Sequence, residues 1–316
     1  MMVAALALAA LLAAASPPPG RRFVDEPVHE NALVGNFAAP SDGGRHPALI
    51  VLGGFEGGIP DEAYSLALQG YAVFGVAYFG AAPLPPSADK IPVETVSRAI
   101  DWLRARPEVD LAHIGILGIS KGSELALLAA GRDPRITSVA VISPSAYVWF
   151  APTFDGEADR SSWTANNGPL PFIPPDQRAQ AALGRAFQSG GTFAFRELYD
   201  ASLATASPAT VASAAIPVER ITAPILCIAG DDDRQWDSAG ACKTIAARRR
   251  GIRAAAADEV IVEPGAGHAL SLGGRPSPEV IPAGKMSFRL GGSTAANEHA
   301  AADTWIHTLA FFGRTI

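Results

Sequence analysis

The sequence predicts an α/β fold with a mostly parallel sheet, and three observations carry that prediction. Short, continuous apolar runs recur along the chain, as expected of strands buried on both faces. Stretches with apolar residues at helical spacing separate them. Gly or Pro closes most of these segments. The first run, Pro47–Leu52 (PALIVL), ends at Gly53 and Gly54. Asp61–Gln69 reads as a short amphipathic helix stopped by Gly70, and Tyr71–Ala77 (YAVFGVA) as the next strand. Val93–Arg106 sets Val93, Val96, Ile100 and Leu103 on one helical face, with Pro107 after it. Ile114–Leu117 is a strand, Gly122–Ala130 an Ala/Leu helix and Ile136–Ile142 a further strand. From Ser145 to Ala215 the alternation breaks. Trp149, Trp163 and Phe172 sit there among Pro-rich turns with no strong period, which reads as a cap over the carboxyl edge of the sheet. Ile225–Ala229 and Val260–Glu263 are strands, and Ala239–Arg250 and Ala295–Phe312 helices. No repeat or linker divides the chain, so residues 20–316 are expected to form one domain with a cap insertion at about 145–215.

Composition narrows the function classes. With 316 residues, 48% of them hydrophobic, the chain has ample apolar side chain to offset the entropy of ordering. A formal net charge of -6 excludes a polyanion binder acting through bulk charge, so nucleic acid is not an expected partner. Two cysteines cannot form a disulfide framework, and neither lies in a metal-like cluster, so no metal is expected. Cys227 falls in a buried strand and Cys242 on a helix, which reads as inert packing rather than a bridge. Met1–Ala15 is an uncharged apolar run ending in small residues before Ser16 and three prolines. It is shorter than the roughly 20 residues that span a bilayer. It fits the apolar core and cleavage site of a secretory signal, although no Lys or Arg precedes Arg21. Residues 1–19 are therefore read as a leader, with export to the periplasm or beyond expected, a cytoplasmic location the alternative, and no stable membrane anchor.

The chemistry concentrates around Gly118-Ile119-Ser120-Lys121-Gly122. An apolar strand runs into Gly-x-Ser-x-Gly and straight out into a helix, the context that a nucleophile elbow requires. The two glycines let strand and helix backbones pass closely, which forces Ser120 to the apex. A serine hydroxyl needs a neighbouring base. The α/β-hydrolase chain order puts an acid after the serine and a histidine after the acid. Strand Ile225–Ala229 leads into Gly230-Asp231-Asp232-Asp233, which supplies the acid. Val260–Glu263 leads into Pro264-Gly265-Ala266-Gly267-His268, which supplies the base. The other histidines fit less well. His29 and His46 precede the predicted sheet, His113 precedes a strand, and His299 and His307 fall on the closing helix in a solvated or packing role. An oxyanion needs two N–H donors. One is the amide of Lys121. The other belongs to the loop Gly53-Gly54-Phe55-Glu56-Gly57-Gly58, where Phe55 is the candidate and the donor stays open. Arg248, Arg249, Arg250 and Arg253 are read as cations complementing a helix C-terminus.

Ile91-Pro92-Val93-Glu94, Ala99–Leu103, Pro107–Val109 and Gly115–Leu127 (GILGISKGSELAL) together resemble the acyl-CoA thioesterase and bile acid-CoA:amino acid N-acyltransferase family. Ile216–Arg220, Ala229–Asp233, Trp236–Ser238, Pro264–His268, Gly291-Gly292, Asp303–Trp305 and Phe311-Phe312 extend the resemblance, which runs from about Ala48 to the C-terminus. It implies Ser120 as nucleophile, Asp233 (rather than Asp231 or Asp232) as acid and His268 as base. It also implies a small acyl thioester substrate, transfer through an acyl-enzyme and no cofactor. Members that conjugate amino acids carry Cys at the nucleophile, so Ser120 favours hydrolysis. The cap and Ala269–Leu290 depart most from the family, which leaves the acyl chain length open. An exported carboxylesterase, one like dienelactone hydrolase included, is the alternative enzyme. A non-catalytic small-molecule binder is the alternative of another class.

Overall fold

A computed structural model describes residues 23–151, 160–270, 278–283 and 286–316. The proposed leader, residues 1–19, lies outside the described residues. Eight strands form the main sheet: β1 (Phe23–Glu30), β2 (Leu33–Pro40), β3 (His46–Leu52), β4 (Ala72–Ala77), β5 (Val109–Ile119), β6 (Ser138–Ile142), β7 (Ile225–Gly230) and β8 (Glu259–Glu263). Their spatial order is β1-β2-β4-β3-β5-β6-β7-β8. β2 pairs antiparallel with β1 and β4, and every pairing from β4 to β8 is parallel.

Alternate residues of the central strands face opposite ways, as a pleated strand demands. Ile50, Ile116, Val139 and Cys227 pack with Val96 and Ile100 of α2 (Glu94–Arg104), Leu125 and Leu128 of α3 (Lys121–Ala130), and Ile245 of α7 (Ser238–Arg248). Leu49, Val51, Leu117 and Ile228 pack on the other side with Leu66 of α1 (Glu62–Ala67) and Trp305, Phe311 and Phe312 of α8 (Thr294–Thr315). Both faces of the sheet are thus covered, which is why its strands read as unbroken apolar runs.

Three sequence expectations need correction. The stretch before Pro47 holds two strands, so His29 lies within β1, His46 opens β3 and His113 lies inside β5. β1 is an edge strand with polar residues and Pro27, a composition that edges tolerate and that hides the strand pattern. Its hairpin turns through Asn31 and Ala32, both at positive φ, without the Asn-Gly signature. Second, Cys227 and Cys242 form a disulfide. α7 folds back on the strand that precedes it and brings the two Cα atoms to 5.7 Å, within bridging range. Third, Arg249 does stand at the C-cap of α7, but the helix end is not all that holds it. It is fully buried, donating to Asp258 and to the carbonyls of Val218, Ile221 and Ala223.

Between β6 and β7 the chain forms α4 (Gln177–Ser189), α5 (Arg196–Thr205) and α6 (Pro208–Ala214). Two small sheets tie this segment to the rest: Trp163–Ala165 pairs with Ile91–Pro92, and Gly191–Phe193 with Met286–Arg289. Trp149 and Trp163 are buried packing residues of this region. The Trp163 indole N–H donates to Glu124 Oε2 at 2.8 Å. Glu124 Oε1 in turn accepts from Lys121 Nζ at 2.8 Å.

Candidate active site

β5 turns into α3 at Ser120, whose φ of 52° and ψ of -119° lie where non-glycine residues are rare. The glycines on either side explain how the turn closes. A Cβ on Gly118 would stand 2.5 Å from the Gly122 carbonyl oxygen, and one on Gly122 would stand 2.4 Å from that of Gly53. Neither position admits a side chain. The turn is held by the Ser120 amide, which donates to the Ile142 carbonyl at 2.8 Å, and by Ser123 Oγ, which donates to the Ser120 carbonyl at 2.6 Å.

His268 sits on the loop after β8, anchored by its amide on the Leu290 carbonyl and by Ser143 Oγ, which donates to its carbonyl at 2.5 Å. Its Nε2 lies 2.7 Å from Ser120 Oγ, and its Nδ1 lies 2.8 Å from Asp233 Oδ2. A carboxylate only accepts, so Nδ1 carries the proton and Nε2 is left to accept from the serine hydroxyl. Asp233 Oδ2 also accepts from Ser238 Oγ at 2.5 Å, and its Oδ1 accepts from the Gln235 amide at 2.7 Å. The Trp236 ring meets the imidazole edge-on at 5.0 Å between centroids. All three groups are buried, which removes competing water from the hydrogen-bonded chain. A base so placed can take the serine proton during attack on a carbonyl and return it to a leaving group.

The three consecutive aspartates divide by task. Asp231 accepts from the Gly265 amide at 2.6 Å, and Asp232 from the Gly292 amide at 2.9 Å. Both fasten backbone around the histidine loop, and only Asp233 reaches the ring. Lys121 opens α3, so its amide belongs to the first helical turn, where amides have no intrahelical acceptor. Its side chain turns inward to Glu124, and burial lowers its pKa despite that carboxylate. Phe55 follows Gly54, and the position of a Cβ on Gly54 lies 3.5 Å from Ser120 Oγ. Both residues expected to form an oxyanion hole therefore belong to elements that border Ser120.

Comparison with known proteins identifies the lineage. A family model described as "BAAT / Acyl-CoA thioester hydrolase C terminal" matches residues 91–316. The chain belongs to this family. It is 30% identical over 308 residues to mitochondrial acyl-coenzyme A thioesterase 2 of Mus musculus, covering 94% of this chain and 61% of that protein. It is 29% identical over 308 residues to acyl-coenzyme A thioesterase 1 of Mus musculus, covering 94% of this chain and 66% of that protein. The chain thus spans less than two thirds of these relatives. Among solved structures, the alpha/beta hydrolase GrgF from Penicillium sp. sh18 superposes with a TM-score of 0.52 at 14% identity, covering 94% of this chain and 99% of that one. The fold is that of the α/β-hydrolases.

Ser120, Asp233 and His268 all lie within the part matched to the BAAT / Acyl-CoA thioester hydrolase C-terminal family, whereas the loop Gly53–Gly58 precedes it. That loop holds a further residue whose place carries no signal in the sequence. Glu56 Oε1 accepts from the Gly54 amide at 2.6 Å, and its Oε2 lies 2.8 Å from the position of a Gly54 Cβ. A carboxylate therefore stands on the same glycine that borders Ser120. Behind it, the Tyr78 hydroxyl donates to the Gly53 carbonyl at 2.8 Å; burial, with Glu56 and Glu124 nearby, pushes that phenol well above its ordinary range. Ser143 and Ser238 were also missed as supports. Isolated serines carry no periodic signal, and only the three-dimensional path of the chain brings them to the histidine and the acid.

Proposed function

We propose that the chain is a serine hydrolase that cleaves acyl thioesters of the coenzyme A type through Ser120, His268 and Asp233. The observation that carries this reading is the hydrogen-bonded series from Ser120 Oγ through both ring nitrogens of His268 to Asp233 Oδ2. Ser120 Oγ bonds to the thioester carbonyl carbon as its proton passes to His268 Nε2. The tetrahedral oxyanion takes hydrogen bonds from the amides of Lys121 and Phe55. The C–S bond then breaks, the imidazolium returns its proton to the thiolate, and the acyl group stays on Ser120. Water, deprotonated by His268, attacks the ester; the C–Oγ bond breaks, the imidazolium returns that proton to Ser120 Oγ, and the carboxylic acid leaves.

Two features support an apolar acyl group. The relatives with which the chain shares about 30% identity are named for acyl-coenzyme A esters. An aromatic series also starts on the loop that borders the serine: Phe55 meets Phe195 at 6.5 Å, and Phe195 stacks on Phe288 at 5.5 Å between centroids. Ser120→Ala is expected to lower kcat/KM at least about a thousandfold without altering the fold. Undiminished turnover would sink the assignment. A fluorophosphonate that never labels Ser120 would favour a binding role instead.

The Cys227–Cys242 disulfide supports a second reading, because disulfides persist in oxidising compartments. The enzyme then works after export, where coenzyme A esters are scarce, and an oxygen ester becomes the substrate. Comparing kcat/KM for an acyl-coenzyme A series with matched oxygen esters decides between the two. Mass spectrometry of the mature N-terminus tests removal of the leader.

A further inference from the structure

We propose that Glu263, His299 and Asp303 form a binding site for a divalent transition cation of the Zn2+ class, which fastens the histidine loop to α8. Glu263 is the last residue of β8. His299 and Asp303 are four residues apart on α8 and so share one helix face. One ligand atom from each of the three lies within 4.8 Å of the others, and His299 Nε2 is 3.5 Å from Asp303 Oδ2. Metal–ligand bonds of about 2.0–2.2 Å set neighbouring donors about 3.4 Å apart around a tetrahedral ion. Small rotamer shifts close the present spacing to that value.

Glu263 supplies the independent reason to expect a ligand. It is 4% exposed, yet among the described residues no hydrogen bond or ion pair reaches its carboxylate. A partly desolvated carboxylate without a protein partner carries uncompensated charge, and a cation between it and the two helix groups would neutralise that charge. One imidazole and two carboxylates suit zinc and its first-row neighbours, with a fourth position left for water.

The location gives the ion a structural task. Glu263 stands directly before Pro264–Gly267, the run that delivers His268. The Gly267 amide already donates to Asn297 Oδ1 at the start of α8, at 2.8 Å. A cation on Glu263, His299 and Asp303 adds a second tie between the same two elements. This inference stands apart from the proposed hydrolysis, and its test does not read activity.

The full chain, stripped with a chelator and dialysed, is titrated with Zn2+ alone by calorimetry and then melted with and without the ion. One saturable equivalent and a raised Tm are expected. The His299 side chain is 70% exposed, so His299→Ala should fold normally, with the metal-free Tm unchanged. His299→Ala and Glu263→Gln should each weaken Zn2+ binding at least about tenfold and abolish the rise in Tm. His113→Ala, which removes another histidine–aspartate pair (2.7 Å to Asp110), should change neither. No saturable equivalent, full binding in His299→Ala and Glu263→Gln, or loss of binding in His113→Ala would each overturn the site.

Discussion

Asp233 and its two neighbours have the same side chain and differ only in where the backbone delivers it. Asp231 and Asp232 end on amides of Gly265 and Gly292, while Asp233 ends on His268 Nδ1 with Ser238 and Gln235 completing its shell. Asp233→Asn should therefore strip the ring of its acceptor and favour the wrong tautomer, lowering kcat by about 10⁴-fold. Asp231→Asn and Asp232→Asn should cost no more than about tenfold, through a looser loop. Equal losses in all three variants would remove the distinction. Ser120 and His268 are legible in the sequence because chain order, flanking strands and glycine spacing converge on one candidate each. The run of three aspartates is legible only as a set, since one residue of backbone rotation decides which carboxylate meets the ring. Glu56 is invisible at that level, because its carboxylate reaches Gly54, the glycine that borders Ser120, only when the loop folds back on itself.

At the scale of elements, the elbow is locked to the cap by a buried pair. Lys121 and Glu124 are 2% and 0% exposed, and Glu124 also accepts from the Trp163 indole. Its Oε2 further accepts from the Trp149 amide at 3.3 Å. Removing one member of such a pair leaves a buried charge without a partner, at a cost of about 3–5 kcal/mol. Glu124→Ala should accordingly lower the unfolding free energy by about that amount in denaturant melts. Glu124→Leu/Lys121→Met, which removes both charges, should recover most of the loss. If Glu124→Ala is as stable as the parent, the pair contributes nothing to holding the cap. The central strands and the helices on both sheet faces are readable because each carries a clean apolar signal. The cap helices are not, since α4 has no buried residue and α6 is mostly small ones. β1 escapes notice because an edge strand needs no continuous apolar run, and β2, though buried, because Gly35 and Asn36 interrupt its apolar residues.

For the whole molecule, the disulfide links stability, the site and the compartment. It joins residues 15 apart, and the segment it closes contains Asp233. Constraining a loop of that length in the unfolded chain contributes about 3 kcal/mol. Cys227→Ala/Cys242→Ala should therefore lower the Tm by roughly 5 °C. Because Asp233, the proposed acid, lies within the closed segment, activity should be lost at a lower temperature than in the parent and in step with unfolding. Both sulfurs are buried, so thiol titration reports them only after denaturation. Protein recovered from an oxidising compartment should then yield no free thiol, and protein made in a reducing cytoplasm should yield two. The double variant at the parent's Tm would mean that α7 is held on β7 by packing alone, through Ala239, Ala241 and Ile245. The bridge would then be dispensable for stability, and the free-thiol count alone would bear on an exported enzyme.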